Sequence, residues 1–101
     1  MQTLFLHSDA ADSQEHLVFL HANGFPPGTY VSFLNELAPL ARISTLEHRP
    51  LWQAKAPRFM SWDVFAEDAI ETLRREVSEP VWLVGHSMGG AISLLIAHKA
   101  P

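Results

Sequence analysis

Two hydrophobic patterns alternate along the chain. The runs His16 to His21 (HLVFLH) and Val81 to Val84 (VWLV) carry consecutive apolar residues, as expected of strands covered on both faces in a parallel sheet. A shorter apolar stretch from Gln2 to Leu6 reads as an edge strand, and the polar segment Ser8 to Glu15 after it as a turn. Arg42 to Leu46 supplies a further strand. From Thr29 the residues Tyr30, Phe33, Leu34, Leu37, Leu40 and Ala41 recur at three- and four-residue spacing, which predicts a helix with one face on a sheet. A second helix is predicted from an N-cap at Ser61, with Trp62, Phe65, Ala69, Leu73 and Val77 as its stripe and Asp63 at the positive end of its dipole. Pro80 closes it. The segment AISLLIA, apolar almost all round, predicts a deeply covered third helix. His48 to Arg58, punctuated by prolines, reads as a long connection.

Strand and helix alternate, so the fold class is α/β with a mostly parallel sheet and flanking helices. A length of 101 residues allows at most one domain. A net charge of -4, with seven Lys and Arg spread thinly, offers no basic stripe for a phosphate backbone, so no nucleic-acid partner is expected. No apolar run approaches a membrane span, and no membrane partner is expected either. The absence of cysteine excludes disulfides and thiolate metal sites and points to the cytoplasm. No H-E-x-x-H or comparable spacing calls for a metal, and no cofactor is implied.

The chemistry is concentrated at Gly85-His86-Ser87-Met88-Gly89, a G-x-S-x-G sequence between the last predicted strand and helix. A strand that turns sharply into a helix strains its pivot, and small residues on either side prevent collisions across the turn. The pivot hydroxyl, Ser87, is then held out above the sheet as a candidate nucleophile. The amide of Met88, at the helix N-terminus, is placed to stabilise an oxyanion on the attacked carbon. The alternative is an ordinary Gly-rich turn with a capping serine. A second feature is the loop His21-Ala22-Asn23-Gly24-Phe25-Pro26-Pro27-Gly28 at the carboxyl end of the first buried strand, the ligand side of an open parallel sheet. It can supply another oxyanion amide, with Phe25 as a candidate wall of the substrate pocket; the alternative is a plain strand-to-helix connection.

Taken together, LVFLHANGFPPGTY and, about sixty residues later, VWLVGHSMGG resemble the α/β-hydrolase family in its small esterase-like members. The resemblance covers essentially the whole chain and identifies it as the N-terminal part of such a domain. It implies Ser87 as nucleophile, Met88 as one oxyanion donor, and Asn23 or Gly24 as the other, because Ala22 stands where the family usually has glycine. It also implies an acid and a histidine following the nucleophile in chain order.

Fourteen residues follow Ser87. The histidine among them, His98, lies eleven residues on in the same predicted helix, about 16 Å along its axis, out of reach of the hydroxyl. His86 is read as support for the turn and His21 as a brace for the loop, whereas His7, His16 and His48 have no partner at a ligand-like spacing. The expected activity is acyl transfer from a small ester, thioester or amide through Ser87, with the acid and histidine encoded beyond residue 101. The other reading is a catalytically silent remnant, or a module that self-associates through the sheet edge left open beside the strand carrying Ser87.

Overall fold

A computed structural model of the chain describes residues 2–9, 14–22, 25, 27–48 and 62–100. Its elements are β1 (Leu4–Ser8), β2 (His16–Leu20), a 3-10 turn (Pro27–Tyr30), α1 (Val31–Leu37), β3 (Arg42–Leu46), α2 (Trp62–Glu76), β4 (Trp82–Gly85) and α3 (Met88–Lys99). The strands form one sheet in the order β1-β3-β2-β4. β2 runs parallel to both β3 and β4, and β1 joins β3 antiparallel with a register shift between Leu6 and Ser8. The expected α/β class with a mostly parallel sheet is therefore observed.

β2 is central, and its sequence shows why it carries no alternation. Val18 and Leu20 face one core with Leu46, Phe65, Ala66, Ala69, Ile70, Ile92 and Ile96. Phe19 faces the opposite core with Leu34 and Ile43. Both pleat faces of the strand are covered, α2 and α3 on one side and α1 on the other, so every position except the first is apolar. Ahead of β1, the buried Gln2 is satisfied on both ends of its amide, donating to Glu47 O at 2.8 Å and accepting from Thr72 Oγ1.

Several expectations are corrected. β1 begins at Leu4 and reaches Ser8, two residues later than the apolar stretch indicated. α1 is only seven residues long after its 3-10 entry, so Leu40 lies outside it and is 67% exposed. β4 spans 82–85 and is an edge strand, not one buried on both faces: Trp82 is exposed, with its indole Nε1 donating to Glu15 Oε2 at 2.6 Å. α3 is not deeply covered. It buries Met88, Gly89, Ile92 and Ile96, whereas Leu94 on its other side is 74% exposed. In each case an apolar sequence reports the capacity to be buried, and nothing among the described residues covers these faces. Ser61 lies outside the described residues, as does most of the proline-punctuated connection.

Candidate active site

The carboxyl ends of the parallel strands β2, β3 and β4 lie along one edge of the sheet, where ligands bind in open α/β folds. After β4 the chain passes through His86 and Ser87 directly into α3. Ser87 has φ 55° and ψ -113°, and among the described residues it is the non-glycine with positive φ. Such a conformation costs on the order of 1–3 kcal/mol and persists only where its surroundings enforce it.

Those surroundings are backbone packed too closely for side chains. A Cβ on Gly85 would run into the Gly89 carbonyl and the Gly90 nitrogen, and one on Gly89 would run into the Leu20 carbonyl, with His21 O at 2.8 Å. Gly89 therefore lets the first turn of α3 sit directly on the end of β2. Hydrogen bonds fix the turn: His86 N–H donates to Leu20 O at 3.2 Å, Gly89 N–H to His86 O at 3.0 Å, and Ala91 N–H to Ser87 O at 3.1 Å. Ser87 is exposed. Met88 occupies the first helical position, where an amide has no intrahelical acceptor, and its side chain is buried.

The loop after β2 is anchored through the peptide groups of Ala22. Its N–H donates to Tyr30 Oη at 3.1 Å, and its carbonyl accepts from Phe25 N–H at 3.1 Å and from His21 Nδ1 at 2.8 Å. Asn23 and Gly24 lie outside the described residues. Phe25 is 54% exposed and does not line the adjacent groove. That groove, about 290 Å³, is bounded by Phe19, Tyr30, Phe33, Val84, Gly85 and His86. A larger cavity of about 560 Å³ lies toward the far ends of α2 and α3, beside Leu73, Val81, Leu83 and Ala100, away from Ser87.

Three histidines follow the three parallel strands, each with a distinct partner. His48 N–H donates to His21 Nε2 at 3.0 Å, so the His21 proton is on Nδ1, directed at the Ala22 carbonyl. His48 returns the interaction, donating from Nε2 to His21 O at 3.0 Å. The two rings lie 4.2 Å apart, and His48 stacks on Phe65. Among the described residues nothing pairs with His48 Nδ1, which is buried. Burial, then the neighbouring His21, lowers the His48 pKa to about 4, and burial also lowers that of His21. Both imidazoles are neutral struts of the loop. His21 thus has the bracing position expected of it, while His48 was missed: the adjacency of Leu20 and Leu46 across β2 and β3 brings the two together, and no local sequence signal encodes that register.

His86 Nδ1 lies 2.9 Å from Tyr30 Oη, so it supports the turn as expected. The sequence marks Tyr30 only as part of an apolar helix face. His16 forms another line, Nε2 to Ser44 Oγ at 2.8 Å and Nδ1 to Glu79 Oε1 at 3.0 Å. The hydrogen bond from His16, and then the backbone amide of Glu79 itself, hold the Glu79 carboxyl below its usual pKa. This serine–histidine–carboxylate arrangement is closed to substrate, since Ser44 and His16 are buried. It lies at the opposite end of β2 from Ser87, roughly 13 Å away at about 3.3 Å per strand residue. Among the described residues, no group of His, Asp or Glu side chains is arranged to hold a metal ion, and no helix is long and apolar enough to cross a membrane.

A mixed sheet with helices on both faces and a strained strand–serine–helix turn at its ligand edge is the architecture of a hydrolase-type α/β domain. Residues 17–100 match the model of the alpha/beta hydrolase family, and the chain belongs to that family. Similar solved structures include the NocB thioesterase domain from the nocardicin cluster, with a TM-score of 0.69 and 26% identity over 86% of this chain and 39% of that one. The covalent complex of the same domain with a fluorophosphonate nocardicin G analog aligns with a TM-score of 0.70 and 27% identity, over 86% of this chain and 38% of that one. The chain thus spans about two fifths of the length of those domains. No curated protein matches it.

Proposed function

We propose that the chain supplies the nucleophile and oxyanion donors of a serine hydrolase acting on small acyl esters, thioesters or amides. The observation that carries this reading is the strained conformation of Ser87 at the β4–α3 junction, held where a Cβ on Gly85 or Gly89 would run into backbone. Strain of this kind has no value to a plain connection. Ser87 Oγ attacks the acyl carbonyl carbon, its proton passes to a histidine, and the carbonyl oxygen becomes an oxyanion. Met88 N–H and the amide of Asn23 or Gly24 donate to that oxygen, and each such donor contributes about a hundred- to a thousandfold in rate. Collapse expels the alcohol, thiol or amine, which takes up the proton; water then repeats the sequence to release the acid. Phe25 contacts the acyl substrate beside the loop.

The histidine and its acid come from sequence beyond residue 101. His21 and His48 are occupied with one another, His86 is tied to Tyr30, and His98 lies near the far end of α3. The likeness to a thioesterase domain, and to its complex with a fluorophosphonate analog, favours a thioester among the three acyl classes. The lack of cysteine fits a cytoplasmic enzyme. The test is labelling of the full-length protein by a fluorophosphonate probe. Labelling that disappears in Ser87→Ala supports the proposal, and labelling that survives that substitution refutes it.

A second reading, a catalytically silent module that pairs through its sheet edge, is favoured by one feature: among the described residues β4 is an apolar edge strand that opens with the exposed Trp82. Open edges template pairing with another chain. On this reading the 101 residues self-associate in sedimentation experiments, Val84→Lys suppresses the association, and the full-length protein resists the probe.

A further inference from the structure

We infer that Tyr30 is a positioning residue of the hydrolytic site, coupling the loop after β2 to the serine turn after β4 through its hydroxyl group. This rests on the proposed serine-hydrolase reading. The two oxyanion donors of that reading come from separate segments, one following Ala22 and the other following Ser87, and neither segment contains the other's register. Tyr30 touches both. Its oxygen accepts the Ala22 N–H at 3.1 Å and lies 2.9 Å from His86 Nδ1, to which it donates when the imidazole carries its proton on Nε2. Ala22 and Ser87 each immediately precede a proposed oxyanion donor, Asn23 and Met88, and the hydroxyl binds Ala22 directly and the residue before Ser87.

The ring is itself held. It packs on Phe19 of the central strand with centroids 4.5 Å apart and meets the His86 ring edge-on at 5.8 Å. Tyr30 ends a 3-10 turn that leads into α1, so its backbone is fixed by an element that packs on the sheet. A phenol is suited to this role because it accepts and donates through one atom with few torsions to order. Phenylalanine keeps the ring packing and removes only the link. A displacement near 1 Å at a reacting centre costs up to about a hundredfold in rate, so the link acts on turnover and not on binding.

The experiment measures kcat and KM of the full-length protein on a short-chain p-nitrophenyl ester, with Ser87→Ala alongside. Persistent turnover in Ser87→Ala overturns the serine-hydrolase reading itself. With Ser87→Ala inactive, Tyr30→Phe is expected to lower kcat about ten- to hundredfold with KM changed less than about twofold. His86→Ala is expected to produce the same loss, and His86→Asn, whose side-chain oxygen can accept where Nδ1 does, to restore most of it. The Tyr30→Phe/His86→Ala double variant should be no slower than the slower single variant, because both break one link. Unchanged kcat in Tyr30→Phe, a change confined to KM, or multiplicative losses in the double variant would each overturn the inference.

Discussion

Replacing Gly89 with alanine sets two opposing effects against each other. Gly89 is the second residue of α3, and alanine in a helix is favoured over glycine by up to about 1 kcal/mol. Against this, the new Cβ would overlap the Leu20 carbonyl and lie 2.8 Å from His21 O. Those atoms are the backbone of a central strand, so they cannot rotate away. Relief requires α3 to move off β2 by about 1 Å, with a cost at or above the upper end of the ~1–3 kcal/mol typical of overpacking. Gly89→Ala should therefore destabilise by about 2 kcal/mol net. Gly90→Ala is the internal control, because its Cβ meets nothing nearer than Gly85 O at 3.4 Å; there the helix preference acts alone and stabilises by about 0.5–1 kcal/mol. Urea unfolding midpoints of the two variants of the full-length protein should move in opposite directions, and only Gly89→Ala should slow fluorophosphonate labelling. Midpoints that rise together would refute the claim that the serine turn is seated directly on the β2 backbone.

Ser87→Gly should raise stability by about 1 kcal/mol relative to Ser87→Ala, because glycine accepts φ 55° without the strain a Cβ imposes; equal unfolding midpoints would show that the turn is not strained. Acid should weaken the loop after β2: the folded pKa of His48, about 4, is depressed below an unfolded value near 6.5, so its contribution is present above about pH 6.5 and is lost as pH falls toward 4. The lowering of His21 acts in the same sense. The loss is on the order of 3 kcal/mol, and His48→Gln should flatten stability across that window; an equally steep decline in His48→Gln would assign it to other groups. The sedimentation behaviour of the 101 residues and its response to Val84→Lys complete the set.

The elements and the serine turn were legible in the sequence because their physics is local. A short run such as LVFL that ends in a Gly- and Pro-rich loop suits a strand covered on both faces, and a G-x-S-x-G segment between a strand and a helix answers to sterics within five residues. His98 could likewise be set aside from helical rise alone. Burial was not legible to the same degree: VWLV and AISLLIA promised cover, yet Trp82 and Leu94 are exposed, because what covers a face depends on neighbours distant in sequence. The same holds for the struts around the site. His48 meets His21 only because β2 and β3 pair with Leu20 opposite Leu46, and Tyr30 reaches Ala22 and His86 only because α1 and β4 flank the central strand. Side chains separated by 27 and 56 residues share no local pattern. The sequence by itself therefore determined which short segments form strands, helices and a strained turn, whereas the register and order of the strands decided which imidazole and hydroxyl groups hold that turn in place.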